Sequence, residues 1–206
     1  MKQLNKFSRA IVAIVMMLGV SLSTLAHDFD VGGIYYNILD ETAKTVKVTY
    51  SGSSYDAVTG EYTGDVVIPN SATYSGITYS VTSIGEWAFW WCTGLTEVTI
   101  PTSVTYIGDS AFYWCSGLTE VTIGNSVTSI GNSAFRGCAG LTTVNFNATN
   151  CTFMGSSNYP VFANCSNLST LNIGENVTNI PNYAFNGCSG LTTVNFNATN
   201  CTSMGS

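Results

Sequence analysis

The sequence predicts a repeat solenoid with a parallel β-sheet on one face and short helical turns on the other, preceded by a β-rich N-terminal cap. Three observations predict it. The frame Ile-Gly-x-x-Ala-Phe-x-x-Cys-x-x-Leu-x-x-Val-x-Ile returns at a fixed interval: Phe89, Phe112 and Phe135 are 23 residues apart, Phe162 follows after 27 and Phe185 after 23 more, with Cys92, Cys115, Cys138, Cys165 and Cys188 in step. Each copy holds an alternating apolar stretch of strand character. No single copy can bury its own apolar face, so the copies must stack.

Residues 1–26 read as a secretory signal, with Lys2, Lys6 and Arg9, an apolar run from Ile11 to Val20, and Thr24 and Ala26 as the small residues before a cut. The run is short for a membrane span, and no later stretch approaches the roughly 18 apolar residues a span needs. The expected mature chain begins at His27, is secreted or sits at the cell surface, and has no membrane span once the signal is removed. No cysteine near the expected cut supports lipid anchoring. Signal removal leaves Lys44, Lys47 and Arg136 against twelve acids, a net charge of −9. Nucleic acid and anionic membranes need clustered cations and are poor partners for such a chain.

Residues 27–83 do not repeat, but Ile34 to Ile38, Thr45 to Tyr50, Gly64 to Ile68 and Ile77 to Val81 are β-like runs between Gly, Ser and Asp turns. They are read as the cap that covers the first coil. Val67-Ile68-Pro69 echoes Thr99-Ile100-Pro101, so the cap merges into the repeats.

In residues 84–206 the strand stretches are Leu95 to Ile100, Leu118 to Ile123, Leu141 to Phe146, Leu168 to Ile173 and Leu191 to Phe196. Stacked at about 4.8 Å per strand, the five would make one parallel sheet roughly 20 to 25 Å wide. Each Ala-Phe-x-x-Cys segment predicts one helical turn with Ala, Phe and Cys inward. Val104 and Ile107, Val127 and Ile130, and Val177 and Ile180 form a second apolar contact before the Gly or Pro that breaks the backbone. The insertion between Asn147 and Pro160 is expected to lose that step and make the third coil bulge. Phe185 to Ser206 repeats Phe135 to Ser156 with changes only at Asn186, Ser189 and Ser203, a second-order repeat of 50 residues. The final copy stops in mid-coil, and the expectation is a piece of a longer protein or a dimer through an open end.

This pattern resembles the leucine-rich repeats of the BspA-like family, whose consensus runs close to I-P-x-x-V-T-x-I-G-x-x-A-F-x-x-C-x-x-L. Ile100-Pro101-Thr102-Ser103-Val104-Thr105-Tyr106-Ile107-Gly108-Asp109-Ser110-Ala111-Phe112-Tyr113-Trp114-Cys115-Ser116-Gly117-Leu118 carries it almost completely, and the likeness extends from about Ile84 to Phe196. Pro181 in place of Gly and Val161 in place of Ala are departures. The resemblance implies a leucine-rich-repeat solenoid with an N-terminal cap, and surface antigens of which some bind host extracellular-matrix proteins.

Seven cysteines in an exported chain invite a disulfide reading. Against it, five occupy the inward repeat position, where a thiol acts as a small apolar residue, and the odd total leaves one unpaired. Cys151 and Cys201 lie outside that ladder and are the expected reactive pair. No C-x-x-C spacing occurs and His27 is the only histidine, so neither a zinc site, another metal or cofactor, nor a Ser or Cys triad is expected. Glu97 and Glu120, 23 apart at one strand position, are the only candidate acid pair for a hydrolase or a cation site, and repetition alone produces such pairs.

Phe89 and its copies are core. Trp90, Trp91, Tyr113 and Trp114 sit at positions that hold Arg136, Gly137, Ala163, Asn164, Asn186 and Gly187 in later coils, so with Trp87 they form an exposed aromatic patch or pack against the cap. The open sheet face carries Thr96, Thr99, Thr119, Thr122, Thr143, Asn145, Thr170, Asn172, Thr193 and Asn195, neutral hydrogen-bonding groups on a rigid scaffold. The Asn-x-Ser/Thr sequons from Asn147 to Asn200 matter only in a glycosylating host.

The leading expectation is therefore a non-enzymatic, protein-binding surface protein. It would act as an adhesin through Glu97, Thr99, Glu120, Thr122, Asn145, Asn172 and Asn195. The alternative is a carbohydrate-binding module using Trp87, Trp90, Trp91, Tyr113 and Trp114.

Overall fold

The computed structural model describes residues 27–52, 54 and 60–205; the expected signal segment lies outside them. Their strands are β1 (Phe29–Val31), β2 (Ile34–Asp40), β3 (Thr45–Thr49), β4 (Gly64–Val67), β5 (Ser71–Tyr74) and β6 (Ile77–Ile84), then β7 (Leu95–Thr99), β8 (Tyr106–Ile107), β9 (Glu120–Ile123), β10 (Ser129–Ile130), β11 (Thr143–Phe146) and β12 (Phe153–Ser156). The last are β13 (Tyr159–Pro160), β14 (Thr170–Ile173), β15 (Asn179–Ile180), β16 (Thr193–Phe196) and β17 (Ser203–Met204). They wind into a β-solenoid of about five turns.

Two strand sets run along the coil axis. On one, β16, β14, β11 and β9 form a parallel ladder that pairs Thr193, Thr170, Thr143 and Glu120, and beside them Asn195, Asn172, Asn145 and Thr122. The expected single five-stranded ladder is not formed: β7 pairs instead with β4 of the cap, Asp65 opposite Glu97 and Val67 opposite Thr99. The second set, β6, β8, β10 and β12, is built from the Val-Thr-x-Ile segments and joins the antiparallel β1-β2-β3 cap through a parallel β3–β6 pair. The sequence shows this set only as an apolar contact, because two paired residues per coil are too few to reveal a strand period.

No helix occurs among the described residues, and the helical turns expected at Ala-Phe-x-x-Cys are replaced by linked tight turns. The cause is local. Trp87, Ser110, Ser133 and Tyr183, each just before the Ala, have φ between 52° and 59°, and the residue before each Cys is left-handed too, so right-handed helix is blocked at both ends. Alternate amides then leave their own coil: Trp87, Phe89 and Trp91 donate to the carbonyls of Asp109, Ala111 and Tyr113 in the next one.

The core follows from this stacking. Phe89, Phe112, Phe135, Phe162 and Phe185 stack ring on ring, with centroids 4.7, 4.8, 5.3 and 5.7 Å apart. Fully burying one such side chain contributes about 1.5–3 kcal/mol. All seven cysteines are free thiols. The ladder thiols are not merely apolar filler: Cys115, Cys138 and Cys165 donate from Sγ to the carbonyls of Phe89, Phe112 and Phe135 in the preceding coil, at 3.0, 3.1 and 3.1 Å.

The third coil keeps the step it was expected to lose. Cys151-Thr152-Phe153-Met154 stands where Val127-Thr128-Ser129-Ile130 stands one coil earlier, with Ser129 opposite Phe153 and Ile130 opposite Met154. Cys151 and Met154 are buried there in place of Val and Ile. Most of the extra length forms the β12–β13 hairpin, Gly155 opposite Pro160 and Ser156 opposite Tyr159.

Candidate functional site

Two surfaces carry the residues singled out by the sequence. The first is the outward side of the β4-β7 and β9-β11-β14-β16 strands, where alternation sends Val98, Val121, Val144 and Leu171 inward and Glu97, Thr99, Glu120 and Thr122 out. Asn195, Asn172 and Asn145 share one column and form a relay. Asn195 Nδ2 donates to Asn172 Oδ1 and Asn172 Nδ2 to Asn145 Oδ1, both at 2.7 Å. Asn145 Nδ2 then donates to Glu120 Oε1 at 2.6 Å and Thr122 Oγ1 at 3.2 Å. Every amide points the same way, and the relay ends on a carboxylate, the strongest acceptor available.

Asp65 was not among the expected site residues, yet it extends the Glu97 and Glu120 column by one coil and accepts a 2.7 Å hydrogen bond from Thr96 Oγ1. The Val67-Ile68-Pro69 echo was the signal that could have placed it. Glu97 and Glu120 do line one shallow cleft of about 230 Å³, with Val98, Thr119 and Thr122. No group of three or more His, Cys, Asp or Glu gathers there or elsewhere among the described residues.

Threonines bind the corners of the coil. Thr105, Thr128 and Thr152 donate from Oγ1 to the carbonyls of Thr82, Thr105 and Thr128, and Thr142 and Thr192 do the same to Thr119 and Ser169. Each of these carbonyls also accepts the backbone N–H of the same threonine, so the hydroxyls add a second bond at every corner, a role that composition alone did not disclose.

The second surface lies on the turn segments. Trp91 and Trp114 are each 40% exposed and stack on one another with centroids 5.4 Å apart and planes 13° from parallel. Trp90 meets Trp91 edge-on at 5.3 Å. Trp87, Trp90 and Tyr113 are half-buried, so the five aromatics divide between exposed and partly buried positions. Both exposed tryptophans are left-handed, φ 55° and 59°, at the position where later coils place Gly137, Asn164 and Gly187. Glycine adopts that backbone without penalty, whereas a residue with a Cβ gives up about 1–2 kcal/mol. Trp114 also lies over Gly137, whose missing side chain makes room: a Cβ there would stand 2.9 Å from the indole Cδ1 and Nε1.

Cys151 and Cys201 are not the pair the sequence suggested. Cys151 is fully buried and Cys201 partly so, and β17 pairs with β15 rather than β12. An intervening coil sets them about 9 to 10 Å apart, beyond disulfide reach.

A coil with buried Ile, Ala, Phe, Cys, Leu and Val positions and outward polar columns, repeated along the chain, is a repeat scaffold. A family model described as the BspA type leucine rich repeat region matches residues 70–192, in six copies. The chain belongs to the BspA-type leucine-rich repeat family. It is similar to a leucine-rich cell surface protein from Faecalibacterium prausnitzii, at 26% identity and a TM-score of 0.57 over 86% of this chain and 50% of that one. It is also similar to leucine-rich repeat proteins from Bacteroides ovatus (26%, 0.53, covering 87% and 55%) and Bacteroides capillosus (26%, 0.56, covering 71% and 97%). The chain spans about half the length of the first two. No curated protein matches it. In this family the BspA-type coil is the repeated unit, and among the described residues no helix is long and apolar enough to cross a membrane.

Proposed function

We propose that this BspA-type protein is exported to the cell surface or beyond it and holds another protein, of the host or the extracellular matrix, on its polar strand face, as an adhesin that performs no reaction. The observation that supports this most is the asparagine relay. Asn195, Asn172 and Asn145 are tied to Glu120 at 2.6–2.7 Å, so groups able to bond a partner are already fixed in place. Fixing them in advance lowers the ordering cost of association. The neighbouring Thr99 and Thr122 are exposed and uncharged, and such a surface gives a broad contact of modest affinity. The family's cell-surface relative in Faecalibacterium fits the same location.

The test is interferometry of the immobilised protein against a panel of extracellular-matrix proteins, with the double variant Thr99→Arg/Thr122→Arg beside it. Both threonines are exposed, so the variant keeps its fold while two long cations obstruct the face. Saturable binding that the variant loses supports the reading. Binding that the variant keeps moves the contact off the face, and no saturable binding to any member removes the adhesin reading.

A further inference from the structure

The tryptophan pair combines two unfavourable features that folding does not require. Two large apolar side chains are left 40% exposed, and both occupy a backbone conformation that Gly137 and Gly187 occupy freely. The left-handed backbone recurs before every repeat Cys, but in Trp91 and Trp114 it carries large exposed aromatic side chains, and an exposed apolar pair points to a ligand. Arg136, the only basic residue in 84–206, immediately precedes the Gly137 over which Trp114 lies, at the repeat position filled by Trp90 and Tyr113 in the coils before it. Its carbonyl accepts from Trp114 N at 2.8 Å, and its Nε is buried with no hydrogen-bond partner among the described residues.

We infer that Trp91, Trp114 and Arg136 form a binding site for an acidic sugar of the hexuronate class, the carboxylate meeting the Arg136 guanidinium and the pyranose lying along the indoles. The backbone decides between a sugar and a peptide. Trp91 N and Trp114 N already donate to Tyr113 O and Arg136 O of the following coils, so no free edge is offered to an extended chain. What remains for recognition is aromatic surface and one planar cation, which suits a ring bearing a carboxylate. One cation in residues 84–206, on a chain of net charge −6, also selects a sparsely charged ligand, since a densely sulfated chain would be repelled by the rest of the protein. The site lies on the turn segments, away from the strand face, and does not rest on the adhesin reading.

All four tryptophans, Trp87, Trp90, Trp91 and Trp114, are in the first two coils, so intrinsic fluorescence reports the site directly. The protein is titrated with tetragalacturonate, with its methyl ester and with the peptide Glu-Tyr-Glu-Tyr, and the titrations are repeated by calorimetry. The expected result is a saturable response to tetragalacturonate that weakens as salt rises. The methyl ester and the Arg136→Gln variant should each bind at least about 10-fold more weakly, the scale of a charge-assisted bidentate contact. Trp91→Asn/Trp114→Asn should not bind, and it stays folded because Asn164 holds the same conformation in its own coil. The proposal is overturned by no saturable response to tetragalacturonate, by equal affinity for the ester, by unchanged binding in both variants, or by binding of the peptide in place of the sugar.

Discussion

The ring of Tyr62 lies 4.5 Å from that of Phe89 and closes the column of stacked phenylalanines at its N-terminal end. A solenoid needs such a lid because its first coil has no neighbour. Tyr62 is joined to the cap by its hydroxyl, which donates to Thr49 O at 2.8 Å and accepts from Tyr35 N at 3.1 Å. One side chain therefore ties the antiparallel β2-β3 hairpin to the repeat core. Tyr62→Phe keeps the ring and strands a buried carbonyl and amide, which costs about 1–3 kcal/mol. Tyr62→Ala removes the lid as well and should cost about 3–5 kcal/mol. Urea unfolding of both variants separates the two contributions, and equal losses would mean that the ring stack contributes nothing.

Burial of thiols and phenols makes alkaline pH the vulnerable side. Burial pushes Cys92 and Cys151 up to about 11 and Tyr36 up to about 12, and raises Cys138 and Tyr62 further; Cys165 is raised first by its hydrogen bond with Cys138 and then by burial. These groups stay protonated in the fold at a pH where the unfolded chain has released its protons, so the unfolded state binds fewer protons and stability falls as pH rises. The urea midpoint should be flat from pH 6 to 8 and decline steadily above about pH 9, near the ordinary thiol value. A midpoint unchanged to pH 10.5 would contradict the buried, reduced ladder.

Thiol reagents read the same ladder at neutral pH. Cys201 and Cys188, both partly exposed, should react first in the native protein, while Cys92, Cys115, Cys138, Cys151 and Cys165 stay silent until denaturant is added. Cys138→Ala removes one of two donors to the Phe112 carbonyl, which keeps Cys115 N at 3.3 Å, and should cost about 0.5–1.5 kcal/mol, whereas Cys138→Ser offers a hydroxyl in its place and should cost less. An alanine variant as stable as the parent would show that the thiol is only filler.

The repeat period, the inward Phe and Cys columns and the outward Thr and Asn columns were legible because each is a one-residue rule applied five times. What was not legible depends on relations between coils. The left-handed φ of Trp87 and Trp91 cancels the helical turn that the i, i+1, i+4 spacing of Ala88, Phe89 and Cys92 suggests, and no composition rule assigns that backbone to tryptophan. The role of Cys151 and Met154 as stand-ins for Val and Ile was hidden by the one-residue shift that precedes them. The acidic column begins at Asp65, in a segment that shares only a three-residue echo with the repeats. Arg136 is visible in the sequence as the lone cation of the repeats, but a lone cation carries no pattern; its place next to Gly137, under Trp114, is what gives it meaning.

Two glycines isolate the contact beneath that stack. Gly137 and Gly187 hold the same repeat position with φ 76° and 80°, but a Cβ at Gly137 would strike the Trp114 indole while one at Gly187 would meet nothing within 4 Å. Gly187→Ala should cost the backbone alone, about 1–2 kcal/mol. Gly137→Ala should cost about 1–3 kcal/mol more and shift the tryptophan emission as Trp114 is displaced. Equal costs and unchanged emission would mean that Trp114 does not rest on Gly137 in solution.

Residues 141–152 and 191–202 are identical in sequence, so the chain carries its own control for the effect of stacking. In the first copy β11 is paired on both sides, with β9 and β14, and Val144 and Phe146 are fully buried. In the second, β16 pairs with β14 alone among the described residues, and Val194 and Phe196 are 55% and 45% exposed. Local propensity is the same in both, and only the second neighbour differs. Amides of β16 should therefore exchange through local opening at least about 100-fold faster than their β11 counterparts, a difference of about 2.7 kcal/mol in opening free energy. Peptide-resolved hydrogen exchange measures both copies in one experiment. Equal protection would mean that β16 is covered in solution, and the oligomeric state of the same sample would then say whether a second copy covers it.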